Sequence, residues 1–439
     1  MRSPLANQPQ ESVVVIGAGA AGVFAAIACA ETNPTLALTL LEAAPVPLAK
    51  VRISGGGRCN VTHACFDPAL LVNHYPRGGK ALRGAFSRFQ PADTVAWFQQ
   101  RGVKLKTEAD GRIFPTSDCS ATIVDCLLGT VERLGIGLRL RQPVRQVGRS
   151  EQGFEIILGT GPSLTCDRLL LATGSSPAGY RIAQSLGHSL VPPVPSLFTF
   201  TIRDAALCNL AGVSLDGVSL RLELADGQTF DQQGPMVITH WGMSGPAVLK
   251  LSAYGAIGLH QHHYQASLRV NWLPALAQPQ IRQALLDLKV DQAKRPVIGL
   301  SPFGLPRRLW QYLVQQRAGL GADLTWSNLS KAQLQTLVTS LTADPYRITG
   351  KGAFKEEFVT CGGVALPEVD FKTMASRVCP GLYLAGEILN IDGVTGGFNF
   401  QNAWTTGWLA GQAMAASPAG SKTSAPGQSP HPARNRQSG

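Results

Sequence analysis

The sequence has no apolar run of membrane-spanning length; stretches such as Val13-Val14-Val15-Ile16 fall far short of the ~20 residues a helix needs to cross a bilayer. It has no C-x-x-C pair, and its nine cysteines, at 29, 59, 65, 119, 126, 166, 208, 361 and 379, stand apart. That disfavours a flavin–dithiol relay, and it disfavours structural zinc, which needs close Cys or His pairs at ligand spacing. The adjacent His262-His263 reads as part of a solvated loop. Met1 to Ser12 is polar and lacks an apolar h-region, so no secretory signal is legible. An odd number of scattered thiols without such a signal points to a reducing, cytoplasmic compartment. Glycine shows no three-residue period and no longer repeat recurs, which excludes collagen, solenoids and propellers.

What is present is a chain of 439 residues, 44% hydrophobic and 15% charged, too apolar to remain disordered. At ~150 residues per domain this allows about three domains, or one large core with an insertion. Basic residues outnumber acidic ones, 39 to 28, for a net charge of +11. Three of these charges, Lys422, Arg434 and Arg436, fall in Ser417–Gly439, a Pro-, Ser-, Gly- and Ala-rich stretch that reads as a disordered tail. The remaining excess suits an anionic ligand such as a dinucleotide, or a nucleic acid.

Ser12 to Ile16 is a β-branched run that Gly17 ends, and Ala18 to Glu31 is small and apolar, as suits a helix packed tightly on a sheet. Leu36 to Leu41 then reads as a second strand ending at Glu42. Strand, glycine turn, helix, strand and acid form the opening of a dinucleotide-binding βαβ unit. In Gly17-Ala18-Gly19-Ala20-Ala21-Gly22, Gly17 permits the tight turn, Gly19 lets backbone approach a pyrophosphate, and Gly22 lets helix and strand close up. Phosphates would rest on the free N–H groups of the helix start, beside Ala20 and Ala21. Glu42 is placed to accept hydrogen bonds from adenosine ribose hydroxyls, so FAD or NAD fits better than NADP.

Ile53-Ser54-Gly55-Gly56-Gly57-Arg58-Cys59-Asn60-Val61-Thr62 reads as a cofactor-lining loop, with Arg58 as a donor for phosphate or ring carbonyl. Val144 to Val147, Phe154 to Leu158 and Arg168 to Ala172 read as short strands, the last running through Ala172-Thr173 to Gly174. The proline-rich Val191 to Pro195 reads as a hinge. Phe198 to Ile238 alternates with Asp-Gly turns at Asp216-Gly217 and Asp226-Gly227, and about 275 to 342 looks helical. Leu382-Tyr383-Leu384-Ala385 returns to the style of the first strands and delivers Gly386 and Glu387. Asp392, Gly396-Gly397, Asn399 and Phe400 then lead into a final helix whose N–H groups would face the pyrimidine end of a flavin, where negative charge collects on reduction.

These segments together resemble the bacterial aminoacetone-oxidase-like, or NAD(P)/FAD-dependent oxidoreductase, flavoproteins of the glutathione-reductase-type superfamily. The matching stretches are Val13 to Glu42, Lys50 to Thr62, Gly111 to Pro115, Thr239 to Pro246, Thr360 to Val364 and Gly381 to Gly411. The resemblance implies noncovalent FAD, with Gly17, Gly19, Gly22 and Glu42 on its ADP half and Arg58, Cys59 and Asn60 beside them. Glu387, Gly397, Asn399 and Phe400 would then lie near the ribityl chain and ring. Two departures stand out: Gly174-Ser175 where relatives have Gly-Gly, and Asn390 where they have Asp.

The expected fold is α/β: a Rossmann-like FAD-binding domain formed by 1–195 and 346–414, interrupted by a β-rich and helical insert over 196–345, with a tail from 415 to 439. The expected activity is flavin redox chemistry on a small molecule, with NAD(P)H as donor; amine oxidation by O₂ is one alternative. An FAD-containing RNA-modifying protein is the other, set back because the basic residues do not interleave with aromatics as a stacking platform would. His240, in a polar glycine-rich loop, is the acid–base candidate, whereas His188 and Cys59 read as structural.

Overall fold

The computed structural model describes residues 11–151, 153–352 and 359–416; the polar first ten residues and the expected tail from 417 onward lie outside them. The chain opens with β1 (Ser12–Ile16), α1 (Ala20–Thr32), β2 (Ala37–Leu41), α2 (Ala49–Gly57), β3 (Gly137–Arg139), β4 (Arg168–Leu171) and β5 (Leu190–Ser196). It continues through β6 (Phe200–Ile202), β7 (Ser214–Glu223), β8 (Thr229–Thr239), β9 (Gly242–Ser244), α3 (Pro246–Tyr254), β10 (Ala266–Asn271) and β11 (Asp344–Lys351). It closes with β12 (Val359–Val364), β13 (Val369–Asp370), β14 (Ala375–Ser376), β15 (Leu382–Leu384) and α4 (Phe398–Ala416).

Seven strands form one sheet in the order β13-β14-β15-β4-β1-β2-β3. The five from β15 to β3 are parallel, and β13 and β14 are antiparallel additions at one edge. β1 and β4 are buried along almost their whole length, as a sheet covered on both faces requires. This is the expected mixed α/β Rossmann-like architecture, with an added β-rich region. Close packing explains why α1 contains only small and apolar residues over its buried length. A Cβ on Gly22 would lie 1.9 Å from the Gly17 carbonyl oxygen. On the other side of α1, Gly407 and Gly411 of α4 let two helix backbones meet. A Cβ there would come within 2.5 Å of the Ala21 oxygen and 2.4 Å of the Ala25 oxygen respectively.

A second core lies in a closed six-stranded barrel, β6-β9-β8-β7-β10-β11, with β11 pairing back to β6. Trp272, Trp310 and Trp326 are buried inside this unit or against its helices. The alternation of β7 (Leu220 and Leu222 inward, Arg221 outward) is the period-two signal of a half-buried strand. Two antiparallel strands, β5 and β12, lead out of the sheet-centred core and back into it. The proline-rich segment expected as a hinge is therefore strand β5. Its pairing slips between Val191 and Val194, where Pro192 and Pro193 have no N–H to offer a ladder. Opposite, Gly362 has φ +96°, and a Cβ there would sit 2.4 Å from the Pro192 oxygen. No helix among the described residues is long and apolar enough to cross a membrane.

Candidate functional site

The carboxyl ends of β1, β2, β4 and β15 lie along one edge of the sheet, the place where open α/β sheets bind their ligands. Gly17 turns there with φ +106°, its missing Cβ making room for the Ala172 carbonyl 2.4 Å away. Gly17 and Gly22 are thus filled by the protein's own backbone, whereas a Cβ at Gly19 would meet nothing within 4 Å. Gly19 is also the N-cap of α1, with no side chain capping it and no acid in the first turn. The free N–H groups around Ala20 and Ala21 therefore point into open space, an anion site by geometry and by dipole.

Glu42 stands at the end of β2, and its two oxygens accept the N–H groups of Ala18 at 2.8 Å and Ala44 at 2.9 Å. A carboxylate has about four acceptor positions, so two remain for ribose hydroxyls. The Gln142 N–H donates to the Glu42 carbonyl at 2.8 Å, which brings Val144 to the same edge. Ala172 joins β1 through its N–H to the Ile16 oxygen at 2.9 Å, and Thr173 and Gly174 follow it out of the sheet. The Thr173 and Tyr180 hydroxyls are buried beside this edge without a hydrogen-bond partner among the described residues. Glu387 accepts from Lys50 at 2.5 Å and from the Thr360 N–H at 3.0 Å, while the Gly386 N–H donates to Thr406 at 2.9 Å. Open space at Gly19, uncapped donors and a half-engaged acid together fit the adenosine diphosphate half of a dinucleotide.

The second half of the predicted set divides. The Gly55-Gly56-Gly57 run, expected as part of a cofactor-lining loop, is the left-handed end of α2, with φ of 57°, 70° and 84°. Asn60 reaches toward the ring-binding end: its amide, oriented to satisfy both neighbours, donates to the Thr62 oxygen and accepts the Gly397 N–H, each at 3.0 Å. Gly397 itself has no room for a Cβ, which would lie 2.6 Å from the Thr62 oxygen. Arg58 instead pairs with Glu108 at 2.6 Å and lies 4.0 Å above the Phe114 ring. Asn399 is used up in a reciprocal pair with the Gly393 backbone, 2.8 Å each way. The Phe400 ring stacks on Trp404, and Asp392 is fully buried against Arg77 and Ser196. Burial pushes the Asp392 carboxyl above its ordinary range, with Arg77 opposing. Cys59 is buried and its thiol is pushed up to about 12, so it has no nucleophilic character. His188 is enclosed between Glu368 and Ser376, both at 2.9 Å.

His240 is exposed on the turn between β8 and β9, where it lines a pocket of about 560 Å³ on the barrel with Arg203, Asp204 and Trp241. The sequence reading missed another group that the structure assembles next to Gly396. The rings of His63 and His74 both pack on Phe398, at 4.7 and 4.2 Å, and stand 5.9 Å from each other. His63 could have been noticed, because it directly follows the Gly-Gly-Gly-Arg-Cys-Asn-Val-Thr run; His74 sits in no motif.

The fold and the family are those of an FAD-dependent oxidoreductase. The chain belongs to the family described as HI0933-like protein Rossmann domain, which matches residues 11–413. It is 30% identical over 414 residues to the ribosomal RNA dihydrouridine synthase of Escherichia coli K12, covering 92% of this chain and 98% of that one. It is 31% identical over 420 residues to the 3-dehydro-bile acid delta(4,6)-reductase of Clostridium scindens, covering 92% and 99%. A solved structure, the 3-ketosteroid-delta4-(5alpha)-dehydrogenase of Rhodococcus jostii RHA1, superposes with a TM-score of 0.48 at 16% identity, over 94% of this chain and 99% of that one. The family assignment is coarser than the resemblance drawn from the motifs, and neither curated relative named here carries an amine-oxidase name.

Proposed function

We propose that this protein is an FAD-dependent reductase that uses NAD(P)H to saturate a carbon–carbon double bond conjugated to a carbonyl. The observation carrying this reading is the likeness, over more than nine-tenths of the chain, to two proteins named for one chemistry. A dihydrouridine synthase and a delta(4,6)-reductase both add two hydrogens across an electron-poor double bond.

The bound flavin would supply hydride-equivalent transfer between the nicotinamide and the substrate. The chain's own residues bind and orient it. Glu42 holds the ribose of the adenosine half, and the N-terminal N–H groups of α1 around Gly19, Ala20 and Ala21 hold the pyrophosphate. Val144 and the Ala172-Thr173-Gly174 segment flank that half. Asn60 fixes the Gly397 backbone, so that the start of α4 offers its positive end to the pyrimidine edge, where negative charge develops. Glu387, tied to Lys50 and Thr360, borders the middle of the cofactor. Arg58, Asp392 and Asn399 act on the walls of this site, each being engaged by protein partners.

The charge excess of +11 and the name of the Escherichia coli relative favour a second reading of the substrate, a uracil ring in ribosomal RNA. One experiment tests both. The purified yellow protein is reduced anaerobically with NADH or NADPH, then offered 2-cyclohexen-1-one or an unmodified ribosomal RNA fragment. Reoxidation of the flavin by the enone, with cyclohexanone formed, supports the first reading; saturated uracil recovered from the RNA supports the second. Bleaching by an amine and not by a nicotinamide would return the protein to the oxidase class.

A further inference from the structure

Two polar side chains that the cofactor does not require lie near each other at the seam between the two cores, Lys250 close enough for its charge to act on the His74 imidazole. Lys250 lies on α3 of the barrel insert, one helical turn before Tyr254 and therefore on the same face of the helix. The Tyr254 hydroxyl crosses the seam to the Asn73 carbonyl at 3.0 Å, which sets Lys250 against the segment holding His74. The His74 backbone is fixed in turn by the Val394 N–H, 2.9 Å from its carbonyl oxygen. Its ring lies flat on Phe398, the first residue of α4, at 4.2 Å and 9°. His63 also packs on Phe398, 5.9 Å from the His74 ring, and a Cβ on Gly396 would come within 3.6 Å of it. The stack therefore adjoins the end of the site given above to the flavin ring.

Lys250 is half-buried and makes no ion pair among the described residues; His74 is half-buried and makes no side-chain hydrogen bond among them. With no protein acceptor engaged among the described residues, both donors are free to serve the oxygen of a ligand that enters beside them. We propose that Lys250 and His74 together hold the carbonyl oxygen of the substrate and stabilise the charge it gains during reduction. The proposal rests on the reductase reading. In that reaction a hydride equivalent adds to the carbon β to the carbonyl, and the π electrons move onto the carbonyl oxygen. The resulting enolate then takes a proton from solvent at the α-carbon. The two electrons come from the nicotinamide by way of the flavin, so one double bond gains two hydrogens.

The state of His74 suits this role. Burial, with His63 and Lys250 nearby, lowers its imidazole to about 4, so at neutral pH it offers one N–H without a positive charge. His63, packed on the same Phe398 with Asp110 and Arg112 beside it, is also held below its ordinary value, chiefly by burial. Lys250 is thus the cation of the pair, and His74 supplies direction.

The test uses the FAD-loaded enzyme and a readout that needs no turnover. p-Chlorophenol, as its phenolate, mimics the enolate oxygen, and a phenolate beside oxidised flavin gives a long-wavelength charge-transfer band. Wild type is expected to bind it with the phenol's pKa lowered in the complex. Lys250→Met should weaken binding at least tenfold and abolish the lowering. Lys250→Arg should keep most of both. His74→Leu should weaken binding severalfold, and His74→Gln, which retains a donor, should recover part of it. The same order is expected in the rate at which 2-cyclohexen-1-one reoxidises reduced enzyme, with the rate of flavin reduction by nicotinamide unchanged. Lys250→Met that binds phenolate and reduces the enone like wild type overturns the proposal, as does wild type that shows no phenolate band. If wild type takes no electrons from a nicotinamide, the reductase reading fails by itself, and the phenolate titration still decides the role of the pair.

Discussion

Arg77 grips both carboxylate oxygens of Asp392 and, with the same Nη2, reaches the Ala253 carbonyl at 2.7 Å. One side chain thereby joins the loop after β15, which belongs to the sheet-centred core, to α3 of the barrel. Ser196, at the end of β5, adds a hydrogen bond to the same carboxylate at 2.8 Å. The seam is thus held by a buried charge pair.

Removing one partner of such a pair strands the other. Arg77→Met should cost about 3–5 kcal/mol in urea unfolding at neutral pH. Its penalty should shrink as pH falls, because Asp392, already pushed upward by burial, then takes a proton and loses the unpaired charge. The double variant with Asp392→Asn should recover part of the loss at neutral pH. Equal stability of Arg77→Met and wild type would show that the pair holds nothing.

Glu42→Ala should weaken FAD binding at least tenfold while leaving the visible spectrum unchanged at saturation. Each charge-assisted bond to a ribose hydroxyl contributes ~1.5–3 kcal/mol, and the flavin ring lies at the far end of the extended cofactor. Glu42→Gln, which keeps an acceptor for the Ala18 or Ala44 N–H, separates loss of ribose binding from loosening of the turn. Titration of the apo-variants with FAD, recorded as spectra, checks this; normal affinity in Glu42→Ala would move the adenosine elsewhere.

Gly411→Ala places a methyl group 2.4 Å from the Ala25 oxygen, a backbone atom that cannot step aside. Overpacking of this sort costs ~1–3 kcal/mol. It should lower the melting temperature and, by tilting α1, raise the FAD dissociation constant as well. Gly129→Ala, on the helix Ala121–Arg133 with nothing within 4 Å of the added methyl, is the control and should be neutral or slightly stabilising.

His188 gives a pH signature. Burial lowers its imidazole below the ordinary 6.5, with Glu368 opposing. The unfolded chain therefore binds the proton more readily, and stability should fall as pH drops below about 6.5. Chemical denaturation at pH 7 and at pH 5 should show a smaller difference for His188→Gln than for wild type. Identical pH dependence would mean that folding leaves the proton affinity of His188 unchanged.

The first βαβ unit was legible because its signals are local: a β-branched run, glycines at fixed offsets and an acid at the end of the next strand. The final helix and the strand before it were legible for the same reason. The barrel was not, because alternation gives single strands but not the pairing of β6 with β11, residues far apart in the chain. Arg58 and Asn399 show the limit at the site. Both sit in glycine-rich motifs, yet Glu108 and the Gly393 backbone, which no pattern links to them, claim their side chains. His74 was invisible because its neighbours in the stack come from other segments, Phe398 more than 300 residues further along and His63 from the short strand Thr62–His63.

The paired strands β5 and β12 bear on the order in which the molecule can be built. Ser196 is the register partner of Val359, so the chain leaves the sheet-centred core after Ser196 and re-enters it at Val359 through a narrow gate. Yet β4 waits for β15, Leu169 pairing with Leu382, and α1 waits for α4. During synthesis the barrel has all its strands before the first core has its central neighbour, so it can close while the nucleotide half is still open. The earliest-made residues of the cradle, Gly17 to Glu42, are then among the last to reach their final surroundings. FAD meets a finished site only when the last helix arrives.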